Sequence, residues 1–132
     1  MLDLALLLIR LVLGLSFMAH GAQKLFGSFG GGGLKGTGGY FESIGIKPGV
    51  TMALMAGLSE FVGGTLLTFG LLTPLASILI AGAMIVAILK VHGPNGFWLT
   101  QNGYEYCLTI LVVVIALALS GAGQYSLDAI FF

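Results

Sequence analysis

Residues 49–72 read GVTMALMAGLSEFVGGTLLTFGLL, and this stretch decides the fold. It is apolar almost without interruption, and two dozen residues of helix extend about 35 Å, enough to cross the roughly 30 Å hydrocarbon core of a bilayer. Glu60 lies in the middle of the stretch. A carboxylate at that depth costs about 2.5 kcal/mol or more unless a partner neutralises it. We therefore expect the other helices to surround Glu60 and to provide a partner for its carboxylate.

The composition excludes a water-soluble globular protein. Hydrophobic residues make up 58% of the 132 residues and charged residues 8%, whereas soluble domains carry about 25% charged residues. The formal net charge is zero and no basic run is present, which excludes nucleic acid as a partner. The single cysteine, Cys107, cannot form an internal disulfide or a cysteine-based metal site, and we predict no metal. The composition indicates an integral membrane protein in contact with the lipid bilayer.

Four apolar segments are each close to the ~20 residues that a membrane-spanning helix requires. They cover about residues 2–20, 50–72, 74–91 and 104–122. The connection between the second and third segments is very short, and short connections place neighbouring helices antiparallel. The sequence predicts an all-α polytopic membrane protein, a single domain over residues 1–132 built as an up-down bundle of four transmembrane helices. The glycine-rich stretch 21–49 is predicted to be a flexible loop, in which residues around 40–44 could form a short interfacial helix.

The basic residues of the loops predict the orientation of the bundle. Lys24, Lys35 and Lys47 lie in or beside the first loop, and Lys90 flanks the third. With four spans these two loops share one side of the membrane. The positive-inside rule then places loops 21–49 and 92–103 in the cytoplasm and both termini outside, in the inner (cytoplasmic) membrane.

A central ion pair is predicted between Arg10 and Glu60. Arg10 lies roughly 10 Å in from the terminal side of the first span, and a long guanidinium side chain bridges the remaining difference in depth. Arginine also suits a bidentate contact with a carboxylate. Two interpretations stay open: the pair fixes the register of the helices, or it binds a polar head group and exchanges protons.

A second polar cluster is predicted near the loop side of the bundle. Its acid is Glu105, and four candidate partners lie at similar depth, namely Lys90, His92, His20 and Lys24. The cluster either lines a ligand site or consists of side chains that snorkel into water. His20 and His92 together are one way to ligate a b-type haem, although a histidine at a membrane interface more commonly bonds water or a neighbour. Either histidine is also suited to pass a proton to a bound quinone.

The helical face that carries Glu60 is formed by small residues, among them Gly57 and Gly64. Either a bulky ligand lies against this face or a neighbouring helix packs close to it. Aromatic residues gather at the start of the fourth segment, where they form an interfacial belt or wall a pocket: Phe97, Trp98, Tyr104 and Tyr106.

These polar positions resemble the sequence signatures of the DoxX family. The first is RLVLG at 10–14 followed by HGAQKL at 20–25, and the second is EFVGG at 60–64 followed by GLLT at 70–73. The third loop, fourth helix and tail of the family are resembled by three further stretches: GF at 96–97, GYE at 103–105 and GAGQYSLD at 121–128. The similarities follow one another in order over nearly the whole chain, while the glycine run at 30–33 is a less typical insert.

The resemblance implies a four-helix inner-membrane protein associated with oxidoreductase systems, including thiosulfate:quinone oxidation and the response to thiol, catechol or quinone stress. On this basis we expect a membrane subunit of a redox system. It binds a quinone or catechol-like ligand beside Arg10 and Glu60 and acts with a soluble oxidoreductase partner, because no redox centre is visible in the sequence. The alternative is a non-enzymatic anchor, or a binder or exporter of lipids or small hydrophobic compounds that functions as a homo-oligomer.

Overall fold

The computed structural model describes residues 1–132 and contains only helices and their connections. Four apolar helices form the body: α1 (Leu2–Phe26), α3 (Gly49–Phe69), α4 (Thr73–Ala87) and α5 (Glu105–Ser120). Two shorter helices accompany them, α2 (Gly33–Ser43) and α6 (Leu127–Phe131). A π-helical turn at Ile88–His92 extends α4 towards the loop side. The predicted all-α membrane class is confirmed.

Three of the four apolar helices are long enough to span a bilayer. These spans are Leu2–Phe26, Gly49–Phe69 and Thr73–Asn95, the last including the helical turns that follow α4. The fourth, α5, has 16 residues, which corresponds to about 24 Å and falls short of a typical span. The predicted count of four crossings is therefore approximate, with α5 the shortest of the bundle.

The prediction of a flexible loop over residues 21–49 is wrong for much of that range. Helix α1 continues through Gly21 to Phe26 and ends at Gly27, whose φ of 74° gives a left-handed cap. Residues 33–43 form α2, which packs across the start of α3 with Gly38 against Val50. Close packing of α2 against α3 at the buried Gly38 stabilises this helix despite its glycine content, an effect that local propensity does not include. The predicted helix at 40–44 overlaps only its C-terminal part.

Helices α1 and α3 approach so closely that their contact requires glycine. A Cβ atom on Gly64 would lie 2.6 Å from both Gly14 O and Met18 N of α1. A Cβ on Gly57 would lie 2.8 Å from the side chain of Leu25. The small face of α3 is thus occupied by a neighbouring helix, and Gly57 and Gly64 are packing residues rather than ligand-binding residues.

Helices α3 and α4 form a tight hairpin. Gly70 ends α3 with a φ of 65°, Leu72 has a φ of 49°, and Pro74 occupies the first turn of α4. On its other side α4 packs against α5 through a cluster of buried apolar residues: Ala76, Ile80, Met84, Cys107, Ile110 and Val114. The two contacts hold α3 and α5 on either side of α4 and leave room between the helices towards the loop side.

Candidate functional site

A cavity of about 420 Å³ lies between the main helices on the loop side of the bundle. Most of its wall is apolar, and Phe41 and Ile46 of the first loop region contribute to it. Its polar lining residues are His20, Lys24, Ser59, Glu60, His92, Tyr106 and Cys107. A concave, largely apolar site with a few convergent polar groups is the usual form of a small-molecule site.

The ion pair in the cavity wall joins Glu60 to Lys24. Lys24 Nζ lies 2.6 Å from Glu60 Oε1, and the exposed fractions of the two side chains are 24% and 7%. The pair forms because α1 continues past Gly21, and close contact at Gly21 and Gly57 brings the end of α1 alongside the middle of α3. It is the only salt bridge in the structure.

The predicted ion pair between Arg10 and Glu60 is wrong. Arg10 is fully buried, but its Nη1 donates to the carbonyl oxygens of Leu67 and Thr68 at 3.4 and 3.3 Å. Its Nη2 donates to Tyr125 O at 2.5 Å. Leu67 and Thr68 lie seven and eight residues beyond Glu60 on α3, about 10 Å along the helix axis. Arg10 thus joins the C-terminal end of α3 to the tail of the chain and takes no part in the cavity.

Asp128 performs the matching role at the start of α4. Its Oδ1 accepts from Leu72 N at 2.7 Å and its Oδ2 from Thr73 N at 3.0 Å, so the tail caps an otherwise uncapped helix N-terminus. Burial alone raises the pKa of Asp128, but hydrogen bonds from Thr73 and Leu72 and the charge of Arg10 lower it below its ordinary value. Arg10 and Asp128 together fasten the tail to the hairpin of α3 and α4.

The lowered pKa of Asp128 predicts a pH-dependent contribution to stability. The contribution is complete above the unfolded-state pKa of about 3.9 and is lost as the pH falls below it through the folded-state pKa. We expect Asp128→Asn to melt at a lower temperature than the unmodified protein at pH 6, with a difference that shrinks towards pH 3. Thermal unfolding followed by circular dichroism in detergent measures this, and a difference constant over that range contradicts it.

The two histidines line the cavity but each has a local partner. His20 Nδ1 lies 3.3 Å from Gln23 Oε1, and His92 Nδ1 lies 3.0 Å from Asn102 O. In each case one ring nitrogen is held in place, which orients the ring and leaves Nε2 without a protein partner.

The predicted cluster around Glu105 does not form. Glu105 Oε1 accepts a hydrogen bond from Leu99 N at 3.1 Å and thereby fixes the loop before α5. Lys90 is exposed and makes no salt bridge. Neither residue lines the cavity, whereas His20, Lys24 and His92 do. Of the nine predicted site residues, the structure therefore brings four together, namely His20, Lys24, Glu60 and His92.

Sequence reasoning names Tyr106 among the aromatic residues that form a belt or wall a pocket, but it misses Cys107 as a lining residue. Tyr106 and Cys107 line the cavity directly after Glu105, while Phe97, Trp98 and Tyr104 stack edge to face in the loop outside it. The pairing of Asp128 with a helix N-terminus 55 residues earlier carried no sequence signal at all. A helical-wheel comparison of Cys107 with Ile110 and Val114, which share its buried face, was the one available indication that Cys107 points inward.

Comparison with known proteins gives consistent results. The DoxX family model matches residues 5–93. The chain is 34% identical to "Uncharacterized membrane protein Rv3486" of Mycobacterium tuberculosis, covering 91% of this chain and 77% of that protein. It is 32% identical to "Putative oxidoreductase CatD" of Bacillus subtilis, covering 98% and 89%. It is 30% identical to "Inner membrane protein YqjF" of Escherichia coli, covering 96% and 91%. No solved structure gives a significant match.

Proposed function

The chain belongs to the DoxX family of membrane proteins, and from that premise we propose that it binds a small, mostly apolar molecule with a polar head group in the cavity at Lys24 and Glu60. The observation that carries the proposal is a buried ion pair placed on the wall of an apolar cavity. A pair kept only for packing needs no cavity beside it, and ionisable groups inside membranes commonly mark functional sites.

The residues at the mouth of the cavity suit a ligand that enters from the lipid bilayer. Two large lining residues on α3 and α4 are strongly exposed, namely Met55, at 57%, and Val86, at 52%. Gly82 of α4 is a third exposed lining residue, and a Cβ there would meet nothing within 4 Å. These three residues define the mouth of the cavity. All three residues belong to spanning segments. The opening therefore faces the bilayer, which suits a lipid-soluble molecule such as a quinone or a catechol-like compound.

The name of the relative CatD extends the proposal towards redox chemistry. In this scheme the chain is a membrane subunit that holds a quinone or catechol-like ring, with Lys24 and Glu60 contacting its oxygens and His20 and His92 relaying protons. A partner oxidoreductase exchanges the electrons. The membrane is the inner membrane, as the name of YqjF states for that relative, and the loop regions 21–49 and 92–103 face the cytoplasm.

Blocking the mouth of the cavity tests the proposal. We expect Gly82→Trp to weaken binding of 2-methyl-1,4-naphthoquinone at least tenfold, because the indole fills the mouth without displacing a packed neighbour. Binding is measured by calorimetric titration of the protein in nanodiscs. Ile78→Trp is the matched control, since Ile78 is 66% exposed on the same helix and does not line the cavity.

The two variants give a direct decision. Loss of binding in Gly82→Trp with normal binding in Ile78→Trp supports the site. Equal binding by both variants and the unmodified protein, or no binding by any of them, contradicts it. Organic extraction and mass spectrometry of the purified protein supply a second measurement, and an extract that contains phospholipid but no quinone or catechol-like compound favours the lipid-binding alternative.

A further inference from the structure

Glu60 presents one carboxylate oxygen that no group of the protein uses. Lys24 donates to Oε1, and no hydrogen bond reaches Oε2. The fully buried side-chain atoms without a partner are Arg10 Nε, Thr73 Oγ1 and Ser77 Oγ. Glu60 Oε2 is not one of them, so it retains accessible surface although the side chain is only 7% exposed. Since Glu60 lines the cavity, this oxygen is available to an occupant.

An unpaired carboxylate oxygen beside an apolar cavity favours an occupant that donates a hydrogen bond. Hydrogen bonds to a charged acceptor are about twice as strong as those between neutral groups. An occupant that offers only carbonyl or ether oxygens leaves Oε2 unpaired and also removes any water that had solvated it. Because Lys24 balances the charge of Glu60, the site has no net charge to attract an ion, and an uncharged donor such as a hydroxyl group fits best.

The rest of the wall favours a flat aromatic ring. Met52, Met55 and Met84 place three thioether side chains around the cavity, and Phe17 adds a ring whose side chain is almost fully buried. Thioether sulfur makes favourable contacts with aromatic rings, and unbranched methionine side chains adapt to their outline. Such a wall contacts the ring of the occupant, while Oε2 of Glu60 forms a hydrogen bond to the substituent on that ring.

Building on the proposed function, we infer that the site selects an uncharged aromatic compound bearing a hydroxyl group. The reduced hydroquinone form of a quinone accordingly binds more tightly than the oxidised form. Glu60 is the specificity-determining residue because its Oε2 accepts a hydrogen bond from the hydroxyl group. A quinone carbonyl has no hydrogen to donate and cannot form this bond. The inference concerns binding alone and requires no electron transfer within this chain.

Three probes that share one ring system test the inference under anaerobic conditions: 2-methyl-1,4-naphthohydroquinone, the corresponding quinone and the bulkier dimethyl ether of the hydroquinone. Dissociation constants are measured by calorimetry with the unmodified protein in nanodiscs. We expect the hydroquinone to bind at least tenfold more tightly than both other probes. Glu60→Gln should reduce or reverse this preference, because the amide can donate to a quinone carbonyl.

The outcomes separate this inference from the proposed function. If the quinone or the ether binds as tightly as the hydroquinone, the selectivity is wrong and the cavity remains a ligand site. If no probe binds, both the proposed function and the selectivity fail. The comparison within the unmodified protein keeps the test decisive even if Glu60→Gln does not fold.

Discussion

Replacing Arg10 with methionine is expected to destabilise the protein by roughly 2–4 kcal/mol, because two carbonyl oxygens lose their donor in a partly buried environment. Thr68 O and Tyr125 O are bonded by the guanidinium, whereas Leu67 O keeps a second donor in Gly70 N. The tail then keeps only the hydrogen bond from Asp128 N to Gly70 O at the end of α3, and we expect the cap that Asp128 provides for α4 to weaken. Melting temperature and folded yield in detergent measure the effect.

The expected destabilisation of Arg10→Met arises from the hydrogen bonds that the guanidinium makes and not from the loss of a positive charge. Lys35→Met is the control, because Lys35 is exposed and makes no hydrogen bond or salt bridge through its side chain; we expect its melting temperature to be unchanged. Arg10→Lys should fall between the two, since one ammonium group cannot reach both α3 and the tail. A melting temperature for Arg10→Met within two degrees or so of the unmodified protein contradicts the assignment.

Replacing Lys24 with methionine is expected to destabilise the protein by about 3 kcal/mol, because the carboxylate of Glu60 is left buried without a counter-charge. Glu60→Gln should cost less, since Lys24 is the more exposed partner, at 24% against 7%, and its ammonium group can turn towards the polar end of the cavity. The double variant Lys24→Met/Glu60→Gln should regain much of the stability lost by Lys24→Met. Chemical denaturation in detergent micelles measures all three.

A second double-mutant cycle provides the matched control. Arg10 and Glu60 do not contact each other in the structure, so the effects of Arg10→Lys and Glu60→Gln should add within about 0.5 kcal/mol. The Lys24 and Glu60 cycle should instead show a clear coupling energy. If the coupling appears in the Arg10 cycle and not in the Lys24 cycle, the partner of Glu60 has been identified incorrectly.

The small residues of α3 show what a sequence pattern can predict about a site and what it leaves undecided. Their spacing predicts a face suited to close contact, and it names Gly57 and Gly64 correctly as members of that face. The pattern does not say whether a ligand or a helix occupies the face, because both require the same absence of side chains. Only the position of α1, which places Gly14 O 2.6 Å from a Cβ on Gly64, decides for the helix.

The cavity depends on contributions that are distant in the sequence. His20, Lys24 and Glu60 are recognisable in isolation as polar residues in apolar helices. Met84 and Cys107 are not, because methionine and cysteine are ordinary in such helices and become lining residues only through the packing of α4 and α5. A sequence thus indicates which polar groups need partners more readily than it indicates the apolar wall around them.

The sequence by itself determined that the chain is an all-helical membrane protein, that Glu60 lies near the middle of a span and that it needs a counter-charge. Each of these follows from local hydrophobicity and from the cost of a charge in lipid, which depend little on the rest of the fold. Only the tertiary structure decided that Lys24 supplies the charge and that Arg10 binds the carbonyl oxygens of α3 and the tail. The partner of Glu60 depends on the axial stagger of α1 against α3, which is set by the glycine contacts between the two helices. The partners of Arg10 are backbone carbonyl oxygens, which every residue carries and which no sequence pattern distinguishes.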